Sequence, residues 1–239
     1  DGEVADVDHL LHFAVPFRAD LAHLDRHEIA ERRLEFAQRA AEIAHEIAMT
    51  PEMREVYDQL ATSGLTAARD AQRAGDHSAL ANLTQTLLGW PNAPWRAERV
   101  STQSGDLIAS APALKSTTLF PKERWLLDEV LAQRERGRKT IVFCRQTNTR
   151  DITEYLQGIL TADGLRVAVL HSSVPADKRE AWLKVQAAQI DVLIVNPKIV
   201  DTGLDLVQFQ SICWYECEYS LYVLMQATKR IYRVGQIND

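Results

Sequence analysis

Asp191-Val-Leu-Ile-Val-Asn196 is four apolar residues between two polar ones. A run of that length suits a strand buried on both faces, and is far too short to cross a bilayer. Similar runs stand at 140–144, 166–170 and 211–215. Helical patterns near 149–160 and 175–188 separate 140–144 from 166–170 and 166–170 from 191–196. Apolar strands alternating with helices predict a parallel sheet covered on both faces. Ligands of such sheets sit beyond the carboxyl ends of the strands. The loops there are 145–148, 171–173, 196–202 and 216–220, and three of the four carry unusual polar residues.

Downstream stands Gln226-Ala-Thr-Lys-Arg230-Ile-Tyr-Arg233-Val-Gly-Gln236. Gln226, Arg230 and Arg233 share one face of a helix at offsets of zero, four and seven. Ser220 suits its N-cap, and Leu221, Leu224 and Met225 its buried side. Two guanidinium forks aimed one way suit a polyanion such as a triphosphate. A solvated basic helix end accounts for the spacing equally well.

In the loop after 191–196, Gly203 permits a close backbone approach, Asp205 can accept from a ribose hydroxyl, and Lys198 can meet a phosphate. A plain strand connection with a turn glycine is the bland alternative. Arg145, Gln146, Thr147 and Asn148 suit a nucleic-acid phosphate, although Thr147, Asn148 or Thr149 also suits the cap of the next helix. Ser172 belongs to a similar loop, in which Ser173 suits a cap before Pro175. Lys178 and Arg179 either meet phosphate or solvate their helix.

Taken in order, these pieces resemble the second RecA-like lobe of superfamily-two helicases, in particular the Swi/Snf-type DNA translocase branch. Pro121-Lys-Glu-Arg-Trp-Leu126 is similar to the opening helix of that lobe, and Lys139-Thr-Ile-Val-Phe-Cys144 to its motif IV strand. Pro197-Lys-Ile-Val-Asp-Thr-Gly203-Leu-Asp-Leu206 is similar to motif V, and 226–236 to motif VI. The sequence departs from the branch at Val200 and Asp201, where small residues are usual, and at Asp205, often Asn.

The resemblance implies an α/β, RecA-like parallel sheet with helices on both faces. It implies Arg230 and Arg233 as arginine fingers, Gln226 as a phosphate-positioning residue, and Gly203 and Asp205 as ATP contacts. Nucleic-acid contacts fall to Arg145, Gln146, Thr147, Asn148, Ser172 and Lys198. The implied cofactors are ATP and Mg2+. The implied partners are DNA, with RNA possible, and the first RecA-like lobe of the same protein. The implied setting is bacterial-type cytoplasm, at the nucleoid.

Residues 1–115 match no motif of that family. Phe36, Ala40, Ile43, Ala44 and Ile47 recur at helical spacing. Thr50-Pro51-Glu52 is a helix start, followed by the stripe Met53, Val56, Tyr57 and Leu60. A further helix over 78–88 ends at Gly89. Residues 101–118 read as a linker or an irregular packed segment. The expectation is an all-helical insertion or connector over 1–115 and the RecA-like lobe over 116–239.

Composition narrows the partners. Residues 1–120 carry a net charge of −7 and residues 121–239 a net of +1, which together give the −6 of the 239-residue chain. No polybasic arm marks a nucleic-acid surface, so such contacts must come from local loops. The three cysteines, Cys144, Cys213 and Cys217, fall in or beside apolar runs and read as buried free thiols. The histidines lack metal-binding spacing, no nucleophile elbow occurs, and no membrane span is expected.

The chain has no Walker A loop. Gly137-Arg138-Lys139-Thr140 is the nearest string, and it precedes a strand. Nor is there an Asp-Glu-Ala-Asp segment for magnesium. The expectation is half of a motor, inactive alone, from a longer protein. Two rivals stand beside it: an inert RecA-like docking or regulatory module, and a dinucleotide or nucleotide-sugar enzyme. The second lacks a Gly-x-Gly-x-x-Gly turn.

Overall fold

The computed structural model describes residues 11–16, 44–147, 150–200, 204, 206–217 and 220–229. In chain order the elements are strands β1 (Leu11–Pro16) and β2 (Ala44–Glu46), then helices α1 (Pro51–Arg73) and α2 (Ser78–Gly89). Strands β3 (Glu98–Ser101) and β4 (Leu107–Ala111) follow, then helix α3 (Pro121–Glu135) and strand β5 (Thr140–Phe143). The chain continues as α4 (Thr153–Ala162), β6 (Val167–Leu170), α5 (Arg179–Ala187), β7 (Val192–Val195), α6 (Pro197–Val200), β8 (Ser211–Trp214) and α7 (Leu221–Lys229). Two compact units result, one of residues 48–124 and one of residues 1–47 with 125–239. They are drawn differently from the sequence-based division at 115/116, because β2 pairs with β1 in the larger unit.

In the larger unit β5 runs parallel to β7 and to β8, and β6 parallel to β7. This gives the strand order β6-β7-β5-β8, which β1 and β2 extend antiparallel from β8. Every residue of β5, β7 and β8 is buried, as continuous apolar runs covered on both faces must be. β6, the edge strand, alternates half-buried and buried residues. The predicted strands at 140–144, 166–170, 192–195 and 211–215 are thus present within one residue of their expected ends. The fold is α/β, with the expected parallel sheet.

One face of the sheet sends Ile141, Phe143, Leu193, Val195, Ile212 and Trp214 into a core with Leu183 and Ala187 of α5 and Ala227 of α7. The Phe143 and Trp214 rings lie 4.4 Å apart across adjacent strands. Gly164, at φ 76°, takes the left-handed conformation that ends α4 and turns the chain toward β6.

In the smaller unit, Thr50 accepts the Met53 N–H at 3.2 Å, with Pro51 and Glu52 in the first turn of α1, as expected. α1 buries Met53, Tyr57, Leu60, Gly64 and Ala68. Against this stripe pack Ala79 and Leu83 of α2 and Val100, Ala109 and Ala111 of a β3–β4 hairpin. The helical segment is therefore present, with a hairpin that the sequence did not announce. Residues 101–118, expected as linker or irregular chain, contain β4. Its Leu-Ile-Ala-Ser-Ala sequence is poor in β-branched residues, and the apolar faces of two helices compensate.

The apolar stripe read over 36–47 also needs correction. Most of it lies outside the described residues, but Ala44, assigned to that helix, is in β2 and pairs with Phe13. Backbone pairing with β1 there overrides the helical spacing.

Candidate functional site

Because β5, β6, β7 and β8 are parallel, their carboxyl ends meet at one edge of the sheet. Backbone bonds carry the ladder just past the strands. The Cys144 N–H donates to Val195 O, and the Tyr215 and Glu216 N–H groups donate to Phe143 O, each at 3.1 Å. The loops after β5, β7 and β8 therefore leave the sheet side by side.

Two side chains then tie them together. Asn196, the first residue after β7, accepts the Lys198 N–H on Oδ1 at 2.9 Å and so starts α6. Its Nδ2 donates to Arg145 O at 2.8 Å and to Thr147 Oγ1 at 3.0 Å. On the other flank Glu216, only 4% exposed, accepts the Gln146 N–H at 2.8 Å. A buried carboxylate needs such donors, and a charge-assisted bond of this kind is stronger than a neutral one. The loop after β6 is held in its turn by Arg179. Its guanidinium donates to Val174 O at 3.0 Å and to Ile199 O at 3.5 Å.

Arg145, Gln146 and Thr147 sit together, half-buried, between Asn196 and Glu216. Lys198 is exposed on α6, and Ser172 is exposed in the loop after β6. Gln226 is half-buried on α7, next to the fully buried Ala227, and α7 packs against α6. Ser220 caps α7 as expected, accepting the Val223 N–H at 3.4 Å and, through its carbonyl, the Leu224 N–H at 3.0 Å. Asn148, Gly203, Asp205, Arg230 and Arg233 lie outside the described residues.

Three expectations about capping and contact change. Helix α4 begins at Thr153, and Asp151 starts it by accepting the Thr153 N–H at 2.8 Å and the Thr153 hydroxyl at 2.7 Å. Thr147 is therefore spared that task. The segment after Ser173 opens with a 3-10 turn, Ala176–Lys178, and α5 starts only at Arg179, with no side-chain cap. Arg179 turns inward onto two carbonyl groups, so it holds loops together, while Lys178 is exposed. Asn196 and Glu216 were passed over as functional residues. The signal available was their position, each a polar residue one or two places beyond a fully apolar strand.

At the opposite edge the charges are paired. Arg166, before β6, makes a two-pronged contact with Asp191, before β7, at 3.1 and 2.6 Å. The Arg166 guanidinium holds the Asp191 carboxyl below its usual range. The carboxyl-end edge exposes Lys198, and Lys178 beside the exposed Asp177. Among the described residues no three His, Cys, Asp or Glu side chains converge as a metal site. No described helix is long and apolar enough to cross a membrane.

Residues 121–235 match the family described as the helicase conserved C-terminal domain. Among solved structures the chain is similar to the C-terminal part of the Fun30 ATPase domain, at 19% identity over 53% of this chain and 41% of that one, with a TM-score of 0.46. It is also similar to the Pyrococcus furiosus Hef helicase domain, at 17% identity over 76% of this chain and 32% of that one, with a TM-score of 0.34. The chain thus spans less than half the length of either. No curated protein matches it.

Proposed function

We propose that this chain, whose residues 121–235 match the helicase conserved C-terminal domain, carries a second RecA-like lobe of superfamily two and is half of an ATP-driven DNA translocase or helicase. The observation that carries the reading is the match over 121–235, aligned with a parallel sheet whose strand ends converge on one cation-bearing edge. In this reading residues 116–239 act as the lobe, β1 and β2 extend its sheet, and the rest of 1–115 acts as an insertion or connector.

ATP would lie between this lobe and a first lobe elsewhere in the parent protein. Arg233, with Arg230, would stabilise charge developing on the γ-phosphate, a contribution of roughly 10³–10⁵ in rate for such fingers. Gln226 would position the phosphates from α7, with Gly203 and Asp205 against the nucleotide. Arg145, Gln146, Thr147, Asn148, Ser172 and Lys198 would follow the DNA backbone, with RNA as the other candidate strand. No acidic cluster among the described residues fits Mg2+, so its chemistry is assigned to the first lobe.

The test is ATP hydrolysis by the full-length protein with and without DNA. Turnover that DNA raises supports the reading. A full-length protein that neither hydrolyses ATP nor binds nucleic acid is a docking module instead.

A further inference from the structure

The Asn196 amide can be oriented in only one way. Its Oδ1 faces the Lys198 backbone N–H, a group that only donates. Its Nδ2 faces the Arg145 carbonyl oxygen, a group that only accepts. Turned over, the amide would set N–H against N–H and oxygen against oxygen. The second Nδ2 hydrogen goes to Thr147 Oγ1 at 3.0 Å, so the hydroxyl is the acceptor in that bond. Its own proton remains to be given, and no described residue takes it. The neighbouring Gln146 N–H is already used by Glu216.

We infer that Asn196 is a positioning residue that holds the Thr147 hydroxyl with its proton free to give, and that this hydroxyl donates to a phosphate oxygen of a nucleic-acid backbone. This rests on the reading of this edge as the nucleic-acid interface. A phosphate oxygen only accepts, so a hydroxyl whose proton is free to give suits it. A contact to the backbone is blind to base sequence. The hydroxyl is held by a residue just past the neighbouring strand β7, 49 positions away.

The experiment is a fluorescence-anisotropy titration of a labelled oligonucleotide with the 239-residue chain at low salt. Thr147→Val, isosteric but without the hydroxyl, and Asn196→Ala each weaken binding about five- to tenfold, the effect of one hydrogen bond. Thr147→Ser keeps wild-type affinity. The double variant Thr147→Val/Asn196→Ala binds no more weakly than the weaker single, because both remove the same contact. Neither single changes the salt slope, since a neutral hydroxyl releases no counterion, whereas Lys198→Ala lowers it by about 1. Thr147→Val leaves the Asn196 bonds to Arg145 and Lys198 in place, so it decides the matter even if Asn196→Ala folds poorly. Wild-type binding that Thr147→Val leaves intact, or losses that add in the double, overturn this inference alone. A wild type that binds no nucleic acid overturns the nucleic-acid reading and this inference with it.

Discussion

The buried Glu216 carboxylate accepts the Gln146 backbone N–H at 2.8 Å, so the end of β8 sets the conformation of the loop after β5. Glu216→Ala removes the acceptor of that half-buried N–H and is expected to cost about 1 kcal/mol, the net worth of one hydrogen bond. Glu216→Gln keeps an acceptor and costs less. Urea denaturation followed by circular dichroism ranks the two. Equal midpoints for the Ala and Gln variants would mean that the bond contributes nothing.

A second expectation concerns acid. Asp191 has a depressed pKa, caused first by the hydrogen bond from the Arg166 side chain. Asp76 is shifted the same way, by the Ser78 hydroxyl and then the Gln103 N–H. A carboxyl whose folded value lies below its unfolded one stabilises fully above the unfolded value, near 4, and less as pH falls through the folded one. Stability should therefore fall below about pH 5, and the Asp191→Asn variant should show a shallower fall. Melting temperatures between pH 2 and 7 measure this. Parallel curves for wild type and variant would refute it.

Gly64 lies in α1 where a Cβ would come within 2.6 Å of Leu83 Cδ1 and 3.1 Å of Ala109 Cβ. Leu83 is 1% exposed and has little room to turn away. Gly64→Val is thus expected to lose about 1–3 kcal/mol by overpacking, despite any gain in helix propensity. Unfolding of the smaller unit reports it, and a more stable variant would show that the hairpin yields.

Thiol reactivity offers another check. Burial pushes the Cys213 thiol well above its usual range, with the nearby Glu129 charge adding to the effect, and Cys144 is also buried. Cys217 is half-buried. In a thiol-reagent assay on the native protein only Cys217 should react quickly, because the thiolate is the reactive form. Fast reaction of Cys213 would contradict the burial of β8.

How legible the fold was depended on how local its causes are. The strands β5, β7 and β8 were visible because each is a continuous apolar run, a pattern fixed by burial on both faces. The Thr50 cap of α1 and the Ser220 cap of α7 were visible because a cap is chosen within three residues. β2 was not, because pairing with distant β1 decides it, and the β3–β4 hairpin was not, because its strands are poor in β-branched residues and packing against α1 and α2 decides them. The candidate site divides likewise. The loops after the strands were found from strand periodicity, but the bonds from Asn196 to Thr147 and from Glu216 to Gln146 span 49 and 70 positions. No local pattern encodes such a partner.

Taken alone, the 239-residue chain should hydrolyse ATP negligibly with Mg2+ and DNA present, since it carries no Walker A loop. Phosphate-release assays on the purified chain measure this. Robust turnover abolished by Arg233→Ala would overturn the division of labour between lobes.

The central claim is that Arg230 and Arg233 complete an ATP site in the parent protein. The most direct measurement is steady-state ATP turnover of the full-length protein carrying Arg233→Ala, beside fluorescent-nucleotide binding. The account predicts a loss of roughly 10³-fold or more in turnover with nucleotide binding retained, because the guanidinium acts mainly where charge builds up in the transition state. Arg233→Lys should recover little, since an ammonium lacks the planar fork. Near-wild-type turnover in Arg233→Ala would contradict the account and leave 226–236 as a solvated basic segment.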